Sequence, residues 1–484
     1  MMKSLYFNEE HALFRQSVSD FVTKEVLPHV NDWETKRQIP KKVWEKMGDL
    51  GFLGLMYPEK YGGMDANFFY SVVFIEEVSK GMMGGFAAAV NVHQYMATAH
   101  IASAGNDDLK KRYLKPAILG KKVAALAISE PNAGSDVSNL RTKAVKSGNY
   151  YTVNGAKTFI TNGVYCDFIT LACQTENGIS LLVVDRNTVG ITANKLDKMG
   201  WHSSDTAELF FDNVKVPTKN IIGEEGQGFY YIMDSFQLER LVAGIGSVAA
   251  AELALEHTLK YMNERKAFGR SISKFQVLRH DMANLATEIE AAKQFTYHTA
   301  WLFSEGIFCV KECSMVKLLT SELSKKVADV CLQCFGGYGY MEEYPIARMY
   351  RDARVGTIVG GTSQIMREII AKIIVDEVSY KPAYKTTDND VVPEKMITAS
   401  ANQTPTDKET ATAEEIPENL KNPIIARDII RSLAYRYRPH KAPNDYKTLV
   451  QFKITGPNGG NFTVEIEDGA CFVNEGLYGE VKCI

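Results

Sequence analysis

The residue pattern changes twice along this chain, and these changes constrain the fold more than any other feature. Between residues 8 and 120, apolar side chains recur mostly at helical spacing. Between residues 122 and 226, short β-favouring runs alternate with turn signals such as Asn177-Gly178. Helical spacing returns after Gly226. The chain is therefore expected to fold as helices, then a β domain, then helices again.

The predicted fold class is α+β with several domains. An N-terminal helical domain precedes a middle antiparallel β domain, and a C-terminal four-helix bundle and a small α/β extension follow. In the bundle, one apolar stripe runs from Leu238 to Ala249 and another from Met282 to Ala292. The expected boundaries are residues 1–120, 121–226 and 227–382 for these three domains, 383–422 for a linker and 423–484 for the extension.

The last hundred residues differ from the rest in composition. The stretch TASANQTPTDKETATAEEIPE, within residues 385–422, is too polar to build a core and is expected to be a linker. The segment from Ile424 to Tyr437 has a helical pattern. Apolar residues then alternate on both sides of Pro457-Asn458-Gly459-Gly460, which predicts a β hairpin.

Composition excludes several classes of protein. The chain has 484 residues, 45% of them hydrophobic, and a formal charge of −3, so it can bury a large core and is not suited to bind nucleic acid. No stretch of about 18 apolar residues predicts a membrane span, and the N-terminal segment MMKSLYFNEEHALFRQ has no signal-peptide core. A cytoplasmic protein is expected.

The eight cysteines are unevenly spaced, which favours reduced thiols over a disulfide framework. The pairs Cys309/Cys313 and Cys331/Cys334 have a spacing that zinc sites also use. Both pairs fall in helical patterns, and the second extends an apolar stripe, so packing is the preferred interpretation and no metal is expected.

One junction could bind a ligand. Gly360 and Gly361 stand just before a helix that begins near Gln364. Such a junction exposes backbone N–H groups to an anionic or carbonyl ligand, although a simple turn is the commoner meaning of two glycines.

Several separate segments together resemble the acyl-CoA dehydrogenases over residues 1 to about 380. They are AISEPNAGSD (Ala127 to Asp136), VNGAKTFITNG (Val153 to Gly163), MGWHSSDTAELFFDNVKVP (Met199 to Pro217), ERKAFGRSISKFQ (Glu264 to Gln276), QCFGGYGY (Gln333 to Tyr340) and YRDARVGTIVGGTSQI (Tyr350 to Ile365). The resemblance implies an FAD enzyme of fatty acid β-oxidation, usually a homotetramer. It would oxidise an acyl-CoA to the trans-2-enoyl-CoA and pass electrons to an electron-transferring flavoprotein.

The reaction dictates what the site must hold. The α-proton of a thioester is too weakly acidic for a carboxylate to remove in water, so hydrogen bonds at the carbonyl must stabilise the enolate-like charge in a dry site. A base must lie on one side of the acyl chain and the flavin on the other.

The resemblance assigns cofactor contacts to three groups of residues. Those lining the flavin in the β domain would be Leu126, Ile128, Ser129, Gly134, Ser135, Phe159, Ile160 and Thr161. Those contacting the FAD pyrophosphate and adenine side, partly from a neighbouring subunit, would be Arg265, Phe268, Gln276, Gln333, Gly336 and Gly337. Thr362 and Gln364 would meet the same cofactor at a helix start.

The expected position of the catalytic base differs from that in much of this family. Many members carry a glutamate immediately before the Gly-Thr of the last motif, where this chain has Gly360. Isovaleryl-CoA and long-chain acyl-CoA dehydrogenases instead place the base on a bundle helix, in a context that resembles Gln237-Leu238-Glu239-Arg240-Leu241. Glu239 is therefore the expected base, and burial should raise its pKa.

Other site residues have smaller expected roles. Ser135, Gln237 and Arg240 are expected to contact the substrate. The N–H of Gly360, with a flavin ribityl hydroxyl, would polarise the thioester carbonyl.

Two alternatives to an acyl-CoA dehydrogenase stay open at this point. One is an acyl-CoA oxidase that hands electrons to oxygen, and the other is a non-catalytic module that binds acyl-CoA or lipid. The tail resembles, more weakly, the first part of a sterol-carrier-protein fold, of which only a part would fit before Ile484.

Overall fold

A computed structural model describes residues 4–380, 448–454, 460–467 and 470–475. The chain divides into two compact units, Met1–Asp388 and Asn389–Ile484. The predicted linker and the predicted helix over residues 424–437 lie outside the described residues. The first unit carries all of the expected site residues.

The N-terminal region is helical, as predicted. Asn8 caps the first helix through a bond from the N–H of His11, and Asn67 caps the fourth through the N–H of Phe69. Wider π-helical turns over Val22–Val26, Val92–Ala97 and Lys110–Leu114 extend three of the helices. The helices are α1 Glu9–Phe21, α2 Val30–Lys36, α3 Lys41–Asp49, α4 Phe68–Ser79, α5 Gly84–Asn91, α6 Thr98–Ala104, α7 Asp107–Leu109 and α8 Lys115–Ile118.

The middle region is a sheet, which confirms the predicted β domain. The strands are β1 Ala124–Ala127, β2 Lys143–Ser147, β3 Tyr150–Thr161, β4 Phe168–Thr175, β5 Gly178–Asp185, β6 Ile191–Lys195, β7 Thr206–Pro217 and β8 Ile221–Ile222. The strand order is β6-β7-β3-β2-β4-β5-β8, and β1 pairs with β4 outside this path. Most pairings are antiparallel, but β1 and β2 both lie parallel to β4, so the sheet is mixed rather than wholly antiparallel.

Helices return in the C-terminal part of this unit, as the sequence predicts. Three long helices pack against one another, and the helix that follows the glycine junction packs on the third of them; a short helix and a two-stranded hairpin are added. The predicted stripe on the first long helix is largely buried, as Leu241 and Ile245 show. The elements are α9 Gly228–Glu264, β9 Lys266–Ala267, β10 Arg270–Ser271, α10 Gln276–Ser304, α11 Val310–Phe335, α12 Pro345–Ala353 and α13 Ser363–Ile374. Among the described residues, no helix has both the length and the apolar character that crossing a bilayer requires.

The second unit contains a three-stranded antiparallel sheet, β11 Thr448–Ile454, β12 Gly460–Glu467 and β13 Ala470–Glu475. In the first hairpin Phe452 lies opposite Phe462, and Ile454 opposite Gly460. The predicted hairpin is confirmed.

Candidate active site

Helix α9 buries the three residues around the expected base. Gln237 and Glu239 are each 5% exposed and Arg240 is 6% exposed. The side-chain carbonyl of Gln237 accepts a hydrogen bond of 3.1 Å from the N–H of Cys309, which caps α11. Gln237 thus links α9 to α11. Its side-chain oxygen, which was expected to be available to the substrate, is already hydrogen-bonded in this contact.

The carboxyl of Glu239 is in a dry environment. Burial raises its pKa to about 7, although a hydrogen bond from Ser235 and the nearby charge of Arg240 act in the opposite direction. The hydroxyl of Ser235, one turn earlier, donates to Oε1 at 3.3 Å. A carboxylate with a pKa near neutrality can accept a proton from a weak carbon acid far better than an ordinary glutamate can.

Arg240 is a buried cation with few partners. Its Nη1 lies 3.5 Å from the hydroxyl of Ser314 on α11, and its guanidinium lies 5.4 Å from the ring centre of Phe236. Its Nε has no hydrogen-bond partner among the described residues. Burial lowers the pKa of Arg240, and the nearby charge of Glu239 opposes that effect. Arg240 is therefore a buried positive charge directly beside Glu239.

The glycine junction adopts a conformation that suits glycine. Gly360 has φ +62° and Gly361 has φ +93°, both in the region that other residues rarely enter. A Cβ on Gly360 would meet nothing within 4 Å. The N–H of Gly360 makes no hydrogen bond within residues 4–380. This turn can therefore present a backbone donor to a ligand.

Helix α11 connects the glycine junction to α9. Ser314 contacts Arg240, and Lys317, one turn later, donates a hydrogen bond from Nζ to the carbonyl of Gly361. Helix α13 then begins at Thr362, whose hydroxyl accepts from the N–H of Ile365 at 3.2 Å. Thr362 has this capping role besides its expected cofactor contact, while Gln364 is exposed in the first turn.

In the β domain, two of the expected flavin segments lie side by side. The N–H of Thr158 donates to the carbonyl of Ser129 at 3.0 Å, which joins the segment after β1 to β3. The pairing of β3 with β7 shifts register between Lys157 and Ile160. Phe159, at this irregularity, has φ +61° and is 73% exposed. An exposed aromatic ring on strained backbone is the kind of surface that a bound planar group covers.

The other expected flavin contacts differ in exposure. Ile128 and Ile160 are buried in hydrophobic cores, so their side chains mainly support the sheet. Leu126, Ser129 and Thr161 are partly exposed beside Phe159. Gly134 and Ser135 are exposed on the loop that follows. No hydrogen bond of the described residues joins Ser135 to α9.

A cavity at the end of the bundle collects four of the expected residues. It has a volume of about 490 Å³ and is lined by Arg265, Gln333, Gly336 and Gly337, together with aromatic rings. The guanidinium of Arg265 lies 5.3 Å from the ring centre of Tyr338. A Cβ on either glycine would meet nothing within 4 Å. This cavity combines a cation, an amide and open backbone, a set that suits a phosphate group.

Two further expected residues follow Arg265 closely in the sequence. Phe268, in the turn between β9 and β10, is 94% exposed with φ +51° and packs edge-on against Phe275 at 6.1 Å. Gln276 is exposed at the first position of α10. Within residues 4–380 no hydrogen bond links the residues around this cavity to the segment around Phe159.

These features fit FAD at two places. The exposed ring of Phe159 and the hydroxyls near it suit the flavin, and the glycine-rich cavity with Arg265 suits the pyrophosphate. Residues 4–380 contain no group of three or more side chains arranged to hold a metal ion. The helix–β–helix order, the exposed ring of Phe159 and the buried carboxylate together fit a flavin-dependent dehydrogenase.

Comparisons with known proteins identify the family. Models of the acyl-CoA dehydrogenase N-terminal, middle and C-terminal domains match residues 8–121, 125–214 and 226–375. The chain belongs to the acyl-CoA dehydrogenase family. It is an FAD-dependent enzyme that dehydrogenates an acyl-CoA thioester.

Three similar proteins show how far the match extends. The mouse long-chain specific acyl-CoA dehydrogenase is 38% identical over 379 residues, which cover 77% of this chain and 88% of that protein. Isovaleryl-CoA dehydrogenase of Pongo abelii is 36% identical over 375 residues, covering 75% and 88%. An acyl-CoA dehydrogenase structure from Geobacillus kaustophilus is 45% identical with a TM-score of 0.74, and the match covers 77% of this chain and all of that one.

Sequence reasoning missed several residues that organise the site. The buried Lys317 stands among small residues with Cys, Ser and Thr side chains on the buried face of α11, and the buried pair Glu130 and Lys157 stands just after β1 and in β3. In each case the signal was a charge in a segment whose pattern predicts burial. Their partners could not be read from the chain, because the partners lie on other elements.

Proposed function

We propose that Glu239 is the base of this acyl-CoA dehydrogenase. The observation that supports this most directly is a fully buried carboxylate whose pKa is raised to about 7, in a chain that has glycine at position 360. The α-proton of the acyl group passes to the carboxylate of Glu239. The N–H of Gly360 donates to the thioester oxygen, where negative charge develops.

The remaining site residues bind, orient and exclude water. Arg240 stabilises the ionised form of Glu239 and adds positive charge close to the developing enolate. The segments around Ser129 and Phe159 hold the flavin, and the cavity beside Arg265 holds the pyrophosphate side. When bound, FAD accepts the hydride that leaves the β-carbon.

The partners are also part of this proposal. An electron-transferring flavoprotein is the proposed electron acceptor, a homotetramer the proposed assembly and the cytoplasm the proposed location. The substrate is either a long straight acyl chain or a short branched one, because relatives of both kinds match this chain to a similar extent. Exposed apolar residues such as Phe268 and Val277 support burial of the bundle end between subunits.

The test is flavin bleaching under anaerobic conditions. Purified holoenzyme is mixed with acyl-CoA substrates of graded length and branching, and the loss of oxidised-flavin absorbance is followed. At least one substrate is expected to bleach the flavin within seconds. Absence of bleaching with every substrate would favour the non-catalytic alternative, and fast reoxidation by air without an acceptor protein would favour the oxidase.

Variants test the base itself. Glu239→Gln is expected to retain FAD and to lose about a thousandfold in bleaching rate, since an amide cannot accept the α-proton as the carboxylate does. Glu256→Gln, which changes an exposed glutamate on the same helix, is the matched control and should behave like the wild type. A fully active Glu239→Gln enzyme would mean that another group is the base.

A further inference from the structure

Lys317 is the most unusual charge in the bundle. It lies in the N-terminal half of α11 and is 1% exposed. Its Nζ bonds to the backbone carbonyl of Gly361, and among the described residues no carboxylate lies within 4 Å of it. A buried ammonium group without an ion-pair partner is costly, so a protein that keeps one is expected to use it.

The surroundings of Lys317 raise this cost further. Burial lowers its pKa to about 8, and the positive charge of Arg240 lowers it as well. The nearest acidic influence is Glu322, whose carboxylate already pairs with Arg367 at 2.7 Å. Two like charges are therefore held in one dry region.

The position of this charge relates it to the reaction. Lys317 contacts the residue next to Gly360, and Arg240 follows Glu239 directly in α9. One cation therefore contacts the proposed carbonyl-binding turn, and the other adjoins the proposed base. A simple structural link between α11 and the turn would need only an uncharged donor.

We propose that Lys317 is a positioning residue for α-proton removal, an inference that rests on the proposed function. Its bond to the carbonyl of Gly361 holds the glycine turn so that the N–H of Gly360 points at the thioester oxygen. Its charge, together with that of Arg240, makes the potential positive where the enolate charge develops.

The glycine turn needs such a restraint. Two consecutive glycines at positive φ have more conformational freedom than any other pair of residues, so the direction of the Gly360 N–H is poorly fixed by the chain itself. Donors that stabilise developing charge are effective only when they are already oriented. One bond from a buried lysine supplies this orientation at the carbonyl of Gly361.

The test uses the holoenzyme and a β-thia acyl-CoA, in which sulfur replaces the β-carbon. Its α-proton can leave but no hydride can follow, so the bound enolate persists and gives a long-wavelength charge-transfer band with oxidised flavin. Titrating this band with pH measures the apparent pKa of the bound α-proton. Steady-state kinetics with a substrate that bleaches the wild type give kcat and KM.

Lys317→Met is expected to raise that apparent pKa by at least about one unit, a tenfold loss of enolate stabilisation. It should lower kcat at least about tenfold with little change in KM, because the interaction acts on the developing charge. Lys325→Met, an exposed lysine on the same helix, is the matched control and should match the wild type in both measurements.

Lys317→Gln covers the case in which the methionine variant loses FAD or fails to fold. Glutamine keeps a donor but not the charge, so it too should raise the apparent pKa. A wild-type apparent pKa and kcat in a folded Lys317 variant overturns the role of Lys317, even if its melting temperature falls. A wild-type enzyme that neither bleaches with acyl-CoA nor ionises the analogue overturns the proposed function itself.

Discussion

At the scale of single residues, the ionisation of Glu239 should set the pH dependence of the reaction. Its pKa is raised to about 7, and the base acts only when deprotonated. We expect kcat/KM for bleaching to rise about tenfold per pH unit below pH 7 and to level off above it. A profile with its midpoint near pH 4.5 would show that the carboxyl is not desolvated in the working enzyme.

The same shift has a consequence for stability that does not depend on activity. Between about pH 4.5 and 7 the unfolded chain loses the Glu239 proton while the folded protein keeps it, so stability falls as the pH rises through this window. The total loss is about 3 kcal/mol. Urea unfolding at pH 5 and pH 8 should show this loss in the wild type and in Glu256→Gln, but not in Glu239→Gln.

Gly360 offers a second test at this scale. A Cβ there would meet nothing within 4 Å, and φ +62° costs a glutamate about 1 kcal/mol. We expect the double variant Glu239→Gln/Gly360→Glu to recover measurable bleaching of short straight-chain substrates that Glu239→Gln alone does not show. Gly360→Gln in the same background is the control, and equal rates for the two would exclude a carboxylate at this position.

At the scale of elements, one buried ion pair fastens the segment after β1, which is proposed to bind the flavin, to strand β3. Lys157 Nζ lies 2.8 Å from both Glu130 Oε1 and the carbonyl of Ile128. Glu130 also accepts from the N–H groups of Arg141 and Thr142 at 2.7 and 3.0 Å. Burial alone would raise the pKa of Glu130, but the Lys157 ammonium and these N–H groups outweigh it, so the pKa is lowered.

Breaking this pair on one side should be costly. Lys157→Met leaves a buried carboxylate unpaired, and we expect it to lower the free energy of unfolding by about 3–5 kcal/mol and to weaken FAD retention. Adding Glu130→Gln should recover part of that loss, as urea unfolding and flavin content of the purified protein would show. A single variant as stable as the wild type would mean that water reaches the carboxylate.

At the scale of the first unit, Asp352 connects three regions of the chain. From α12, it accepts hydrogen bonds from the N–H of Gly84, at the start of α5, and of Trp201, in the loop before β7. These bonds measure 3.0 and 2.6 Å. Burial raises the pKa of Asp352 to about 6. The helical domain, the β domain and the bundle thus meet at one carboxyl.

Asp352→Ala should therefore destabilise the unit as a whole. Two partly buried N–H groups would lose their acceptor, which is expected to cost about 2–4 kcal/mol in urea unfolding. Asp49→Ala, an exposed aspartate in α3, is the control and should change stability by less than about 0.5 kcal/mol. Equal effects of the two substitutions would argue against Asp352 as a junction.

The sequence by itself determined the order of the domains, the β hairpin of the second unit and the family. These depend on local periodicity and on contiguous motifs, which a chain carries whatever its tertiary arrangement. The absence of a glutamate at position 360 and the Gln-Leu-Glu-Arg-Leu context also point to Glu239 from the sequence alone. The parallel pairings of β1 and β2 with β4 could not be read in this way, because strand partners are not neighbours in the sequence.

Only the tertiary structure decided which charges are buried and what they contact. Lys317, Glu130, Lys157 and Asp352 look like ordinary charged residues in the sequence, and each becomes important through a partner that lies on another element. The raised pKa of Glu239 has the same origin, since desolvation is a property of the packed molecule and not of the residue.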